Sequence, residues 1–379
     1  MERLNGCRLL SLVWYKVLPA QMGGQKGIAF FNEALAQYVH LECLCARTNI
    51  AAEELPYTVL PKLPKTKFQF INPFVFKKIF SVIRRVKPTH LLIEHPYYGL
   101  AGILARRKFG IPFIIHEHNI EWLRFKTMKR PGWRFLKWFE GFVLRRADMV
   151  LFKSETDRQL ALTHHHLHPE KTGIVPYGTW LKEVPPEEEK RKNREWLCRT
   201  YHIPENHTLL LFNGTFDYLP NKQALNHITH YILPLLQEKG VRFTLVLCGK
   251  NLLPGFSEQN RQYAIVYAGL VPDTRPYYTG CDVFINPVLT GGGVKTKLVE
   301  AIAHNLTTIS TQTGATGIPV TQCGEKLVVC ADNDWESFVS AIIRAKKNMA
   351  YTPPVFCQTF NWQRIAQETA VKINRLVGK

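Results

Sequence analysis

Short, unbroken apolar runs alternate with longer amphipathic stretches along the first half of the chain. Cys7–Trp14, Leu41–Ala46, Leu91–Glu94, Pro112–His116, Met149–Ser154 and Lys171–Pro176 read as strands. Gly27–His40, entered through a glycine loop at Gly23–Gly24, reads as a helix; so do Phe74–Val86, stopped by Pro88, and Gly99–Lys108. Strands that are apolar throughout, rather than at every second position, belong to parallel sheets covered on both faces. The helices between them supply that cover.

The text changes between Gly178 and His207. Pro185–Pro186 leads into the mixed-charge run Glu187–Arg194, which predicts a linker and an exposed helix. The alternation then restarts with strands at Thr208–Phe212, Arg242–Cys248, Ala264–Ala268, Val283–Asn286, Thr307–Ser310 and Leu327–Val329. Helices are predicted at Gln223–Lys239, Arg275–Gly280 and Trp335–Lys346, and a final amphipathic one within Phe360–Gly378. The predicted fold class is α/β, with two doubly wound, Rossmann-like domains, 1–178 and 179–359. An interdomain cleft is then the default ligand site. A chain of 379 residues with 46% hydrophobic content is long enough for two such cores.

The segment Val283–Gly317 carries the most chemistry. A strand ending at Asn286–Pro287 is followed by Gly291, Gly292 and Gly293 and then by a helix expected to begin near Val294. Glycines let backbone N–H groups approach an anion, and a helix N-terminus adds positive potential there. Lys295 and Lys297 fall in the expected first turn, exposed, where cations oppose the helix dipole. A bound diphosphate would account for them. Glu300, one turn on, could accept hydrogen bonds from ribose hydroxyls. A glycine-rich turn with solvated lysines is the plainer alternative.

GGGVKTKLVEA, together with TGATGI after it and GLVPDTRPYYTGCDVFINP before it, resembles the retaining glycosyltransferases of family 4, which have the GT-B architecture. LLLFNGTFDYLPNKQAL resembles the opening of that family's C-terminal domain, so the likeness spans most of 208–346. It implies that Lys295 and Lys297 bind a donor diphosphate, that Glu300 binds its ribose, and that Lys222 adds charge nearby. It also implies that the last helix crosses back onto the first domain. Many members carry a glutamate facing the donor sugar where this chain has Gly292. That role would pass to backbone amides.

In the first half, HNIE at His118–Glu121 resembles the corresponding text of related glycosyltransferases, whose histidine lies near the transferred sugar. His118 is preferred over His116 for that role. Glu94 and Ser154 end predicted strands, and Gly23 and Gly24 form the loop between the first strand and its helix, which resembles the family's first loop; the four are candidate acceptor-side residues. The clustered histidines raise the question of a metal. His164–His165–His166 are adjacent residues that would not converge on one ion, and no separate carboxylate–histidine set has convincing spacing. Family members generally need no metal, so no metal and no other cofactor is expected.

Charge adds a further expectation. Of the net +19, residues 1–178 carry +14 and the remainder +5. Trp122–Arg146 interleaves tryptophans and phenylalanines with eight cations, a composition suited to a membrane interface or to an amphipathic helix with a core face. An anionic membrane surface is therefore an expected partner, beside a nucleotide-sugar donor and a glycan or lipid-linked acceptor. No zinc-finger or RNP-type text accompanies the charge, and nucleic acid is not expected as a partner. Nine scattered cysteines without a CxxC pair read as buried thiols of a cytoplasmic protein, peripheral to the membrane. No run reaches the length of a membrane helix. Arg3, Arg8 and the apolar run after them fit a first strand better than a secretory signal. The reading that results is sugar transfer with retention. A nucleotide-sugar epimerase of the same architecture is the alternative, and a basic nucleic-acid-binding protein a more distant one.

Overall fold

A computed structural model describes residues 6–51, 54–66, 68–346 and 348–376. The chain divides into two compact units. One takes the chain through Trp180, with Gly292–Val294 and the segment from Phe360; the other takes Leu181–Gly291 and Lys295–Thr359. Each is built on a parallel sheet with helices between successive strands, and the two together form the GT-B architecture.

The first unit contains β1 (Arg8–Val13), β2 (His40–Ala46), β3 (Thr58–Leu63), β4 (His90–Glu94), β5 (Phe113–Glu117), β6 (Met149–Phe152) and β7 (Thr172–Ile174). Their spatial order is β3-β2-β1-β4-β5-β6-β7. The chain thus starts in the middle, runs to one edge, and returns past its start. The strand direction of travel reverses between β1 and β4, and the crevice beyond their carboxyl ends is where such sheets bind ligands. Leu10, Leu12, Leu91, Ile93, Phe113 and Ile115 are fully buried, as the unbroken apolar runs require. β3 was not predicted. Its sequence TVLPKL holds a proline and a lysine, which only an edge strand tolerates, and β3 is the edge.

The closing helix, Trp362–Asn374, belongs to this first unit. Thr179 N–H donates to the Phe360 carbonyl at 2.6 Å, and Trp362 N–H donates to the Thr179 carbonyl at 2.9 Å. Trp362 is wholly buried, 5.4 Å from the Tyr177 ring. A Cβ at Gly178 would lie 2.5 Å from the indole, so no larger residue fits there.

The second unit contains β8 (Thr208–Thr215), β9 (Phe243–Lys250), β10 (Ile265–Gly269), β11 (Val283–Asn286), β12 (Thr307–Thr311) and β13 (Leu327–Cys330), in the order β10-β9-β8-β11-β12-β13. Its reversal lies between β8 and β11. All nine cysteines are free and buried. Among the described residues no helix is long and apolar enough to cross a membrane.

The segment Trp122–Arg146 is two helices rather than one. Glu121–Thr127 ends, Lys129 and Gly132 take positive φ with Pro131 between them, and Trp133–Leu144 follows. Trp122 is core, only 5% exposed, which corrects its reading as an interfacial residue. Phe135 and Trp138 are exposed.

Candidate functional site

In the second unit the reversal point gathers most of the predicted donor residues. β8 ends at Asn213–Thr215, and the loop after β11 leads through the three glycines. Gly291 and Gly293 have φ of 87° and 71°, a conformation that side-chain-bearing residues rarely adopt. The helix begins at Thr296, not Val294, with Lys295 as its N-cap in extended conformation. The glycine run needs those extra residues to complete its turn. Lys295 therefore stands before the helix, and its Nζ donates to the Gly291 carbonyl at 3.1 Å.

Lys297 is the first-turn lysine, and it is not the solvated side chain expected. Its Nζ donates to Asn221 Oδ1 at 3.1 Å and to the Asn213 carbonyl at 3.3 Å, and it lies 4.2 Å from the centre of the Phe212 ring. Burial, reinforced by the neighbouring Lys295 charge, lowers its pKa to about 7. Glu300 is held by Tyr278, whose hydroxyl donates to Oε2 at 3.0 Å and accepts from Asn213 Nδ2 at 2.6 Å. One side-chain network therefore runs from Asn213 to Glu300, and the Asn213 backbone reaches Lys297. Lys222 is exposed on the Leu219–His227 helix. Its neighbour Asn221 is the residue that meets Lys297.

In the first unit the carboxyl ends of β4 and β5 build a buried polar cluster. The register pairs Glu94 with His116, and His118 follows two residues on, on the same side of the chain. His118 Nε2 lies 2.5 Å from Glu94 Oε2, and His116 Nδ1 lies 3.0 Å from the same oxygen. Burial works to raise the Glu94 pKa, but the two imidazoles outweigh it and hold the carboxyl below its usual range. Burial lowers both histidines: His116 to about 4, and His118 well below its ordinary value, with His116, Lys153 and His95 adding to the effect. The arrangement that results is an ionised Glu94 accepting Nε2–H from a neutral His118. Lys153 is buried beside the cluster, and burial lowers it to about 7.

Spacing along the chain does not reveal this carboxylate–histidine set, because its carboxylate arrives from a neighbouring strand. The nearest ligand-type atoms of Glu94, His116 and His118 all lie within 4.8 Å of one another. Both imidazoles approach the same carboxylate oxygen, and the histidine rings also lie against one another. His118 sits between His116, 4.4 Å away, and His95, 4.5 Å away and stacked.

The remaining predicted residues fare differently. Ser154 caps the Glu155–His165 helix: its Oγ accepts from Asp157 N–H at 3.1 Å and donates to Asp157 Oδ2 at 2.8 Å. Gly23 and Gly24 form the first turn of the Gly23–Leu35 helix, not a loop before it. The Gln25 side chain closes that start by accepting from the backbone amides of Gln21 and Met22. Glu121 of the HNIE text is buried and engaged by Arg124 and by the Tyr97 hydroxyl, 2.6 Å away. Glu140 caps the Glu121–Thr127 helix, accepting from the amides of Glu121 and Trp122 at 2.9 and 3.1 Å. Asn213, Tyr278, Asn221 and Lys153 were not predicted. Of these, Asn213, Asn221 and Tyr278 lie within text whose family likeness is noted above, and Lys153 does not.

Comparison with known proteins agrees with this layout. Residues 39–178 match a family model described as a glycosyl transferase 4-like domain, and residues 207–348 match one described as glycosyl transferases group 1. A relative in Klebsiella pneumoniae, named as an uncharacterized 44.6 kDa protein in the cps region, is 28% identical over 162 residues. The match spans 40% of this chain and 41% of that protein, less than half of either. Among solved structures, sucrose-phosphate synthase from Thermosynechococcus elongatus is similar at a TM-score of 0.75, with 17% identity, over 98% of this chain and 99% of that one. Anabaena HepE, solved in complex with UDP, is similar at 0.72, with 13% identity, over 97% and 100%. Both likenesses are of fold.

Proposed function

We propose that this chain, a glycosyltransferase of the GT-B type, takes a sugar from a nucleoside diphosphate donor and passes it to an acceptor hydroxyl with retention of anomeric configuration. The observation that carries the donor half of the reading is the constellation at the β8/β11 reversal. There a glycine loop, Lys295, Lys297 and the tyrosine-held Glu300 meet at the start of one helix. UDP in the HepE complex supports a nucleotide donor for the same architecture.

The leaving diphosphate gains charge as its bond to the sugar breaks. Lys295, Lys297 and the loop amides stabilise that charge without a metal. Glu300, held in one orientation by Tyr278, accepts the ribose hydroxyls. His118 is assigned to the transferred sugar, with its Nε2–H committed to Glu94 and its Nδ1 left as the acceptor. Retention rests on the family likeness.

The acceptor is a glycan or a lipid-linked molecule, met at an anionic membrane surface. Exposed Phe135 and Trp138, the exposed Phe68, Ile71 and Phe74 near the Pro73–Val86 helix, and the basic excess of the first unit support that partner. A thermal-shift panel of nucleotide sugars, followed by an assay for transfer into an acceptor extract, tests the proposal. A donor that raises the melting temperature and labels the extract is expected. A donor that is only interconverted, with no labelled acceptor, would identify an epimerase.

A further inference from the structure

The break between the Glu121–Thr127 and Trp133–Leu144 helices leaves an open surface basin of about 500 Å³ lined by Lys126, Lys129, Arg130, Trp133 and Arg134. The turn is tight. Lys129 N–H donates to the Lys126 carbonyl, and Arg130 N–H reaches back to the Phe125 carbonyl at 2.9 Å. That fold-back gathers four cations that a continuous helix would distribute around its axis. Lys126 and Arg134 lie 5.3 and 5.2 Å from the centre of the Trp133 ring, so the indole is an apolar part of the lining that both cations meet.

These charges are uncompensated. The acids of the two helices are Glu121 and Glu140, and both are buried and engaged elsewhere: Glu121 with Arg124 and Tyr97, Glu140 with two backbone amides. Among the described residues no ion pair involves Lys126, Lys129, Arg130 or Arg134. Four like charges around one hollow repel each other, and a multivalent anion relieves that repulsion. Two of the four are arginines, whose planar forks suit the paired oxygens of a phosphate.

We propose that this basin is a phosphate-binding site, taking a phosphate monoester or diphosphate group separately from the donor loop at Gly291–Lys295. The open basin has room for a phosphate or diphosphate group between its cations. The helix that leaves the basin carries exposed Phe135 and Trp138 three residues apart, on one face. An apolar stripe beside a phosphate site suits a phosphate borne on a lipid. The role of that group as part of the acceptor rests on the sugar-transfer reading; the binding itself does not.

Calorimetry with pyrophosphate tests the site, using protein that carries Lys295→Ala and Lys297→Ala so that the donor loop contributes no heat. Saturable one-site binding is expected. Arg130→Gln with Arg134→Gln should weaken it about tenfold or more, as loss of two charged hydrogen-bonding groups implies. Arg84→Gln with Arg85→Gln, which removes equal charge from exposed positions on another helix, should leave it unchanged. Arg130→Lys with Arg134→Lys, which keeps the charge, should give an intermediate loss.

Vesicles of phosphatidylcholine with phosphatidic acid, or with phosphatidylglycerol at matched surface potential, identify the source. A preference for phosphatidic acid that disappears in the arginine-to-glutamine variant supports the site and a lipid-borne phosphate. Pyrophosphate binding without that preference supports the site and a soluble phosphate. Absence of both saturable pyrophosphate binding and the preference overturns the proposal. Failure of the donor-loop reading would appear separately, as nucleotide affinity indifferent to Lys295 and Lys297.

Discussion

The Tyr278 hydroxyl donates to Glu300 Oε2 at 3.0 Å, which ties the carboxylate to the Arg275–Gly280 helix and, through Asn213, to the end of β8. A carboxylate held in this way keeps one orientation, which is what recognition of a vicinal ribose diol needs. Glu300→Gln should therefore lower affinity for a nucleoside diphosphate by about 1.5–3 kcal/mol, the usual worth of a charged hydrogen bond, and barely alter affinity for pyrophosphate. Tyr278→Phe should lower nucleotide affinity in the same pattern by a smaller amount. Equal losses for both ligands in Glu300→Gln would show that the residue acts through general electrostatics.

Lys297 makes nucleotide binding pH-dependent. Its pKa of about 7 in the unliganded protein leaves a substantial neutral fraction at neutral pH. A diphosphate favours the charged amine, so binding takes up protons there. Affinity should fall as pH rises from 6 to 8.5, and the apparent binding enthalpy should vary with the ionisation enthalpy of the buffer. Lys297→Arg, charged throughout this range, should flatten both dependences. Identical heats in phosphate-free buffers of different ionisation enthalpy would mean that no proton is taken up.

Glu94 fixes which nitrogen of His118 carries the proton. His118→Ala, if folded, should lose transfer activity far more than nucleotide binding. Glu94→Gln should also reduce turnover, and should allow the other His118 tautomer, which nitrogen-15 spectra of the imidazole distinguish. Near-normal turnover of His118→Ala with an identified donor and acceptor would remove His118 from the mechanism. His116 would then be the residue to test.

Membrane contact through the first unit should depend on salt. Each Lys or Arg near an anionic surface contributes about 1 kcal/mol, and that attraction is screened within a Debye length of about 8–10 Å. The protein should sediment with anionic vesicles more than with neutral ones, and high salt should release much of it. Phe135→Ser with Trp138→Ser should weaken the salt-resistant part while leaving nucleotide binding intact. Trp122 is excluded from that test because it is core. A wild-type protein that ignores anionic vesicles at low salt would leave the basic excess to an acidic soluble partner.

The fold was legible where burial is two-sided. The strands from Cys7, Leu41, Leu91, Pro112, Val283 and Thr307 announce themselves by unbroken apolar runs, and each is found within a residue or two of its expected place. β3 was missed because an edge strand need not be apolar throughout. Trp122–Arg146 was misread because composition does not reveal how Pro131 and Gly132 divide it. The donor loop was legible because its residues are contiguous. The networks that hold it were not, since Asn213, Asn221 and Tyr278 lie far from Lys297 and Glu300 in sequence and meet them only through the β8/β11 pairing. Glu94, His116 and His118 show the same limit: strand register, not spacing along the chain, brings the carboxylate to the imidazoles.

The central claim is that the loop Gly291–Lys295 and the helix from Thr296 hold a donor diphosphate. Calorimetric titration of a nucleoside diphosphate into the wild-type protein and into a Lys295→Ala, Lys297→Ala variant tests it most directly. With each charge-assisted bond worth about 1.5–3 kcal/mol, the folded variant should bind at least tenfold more weakly. Unchanged affinity in that folded variant would contradict the account.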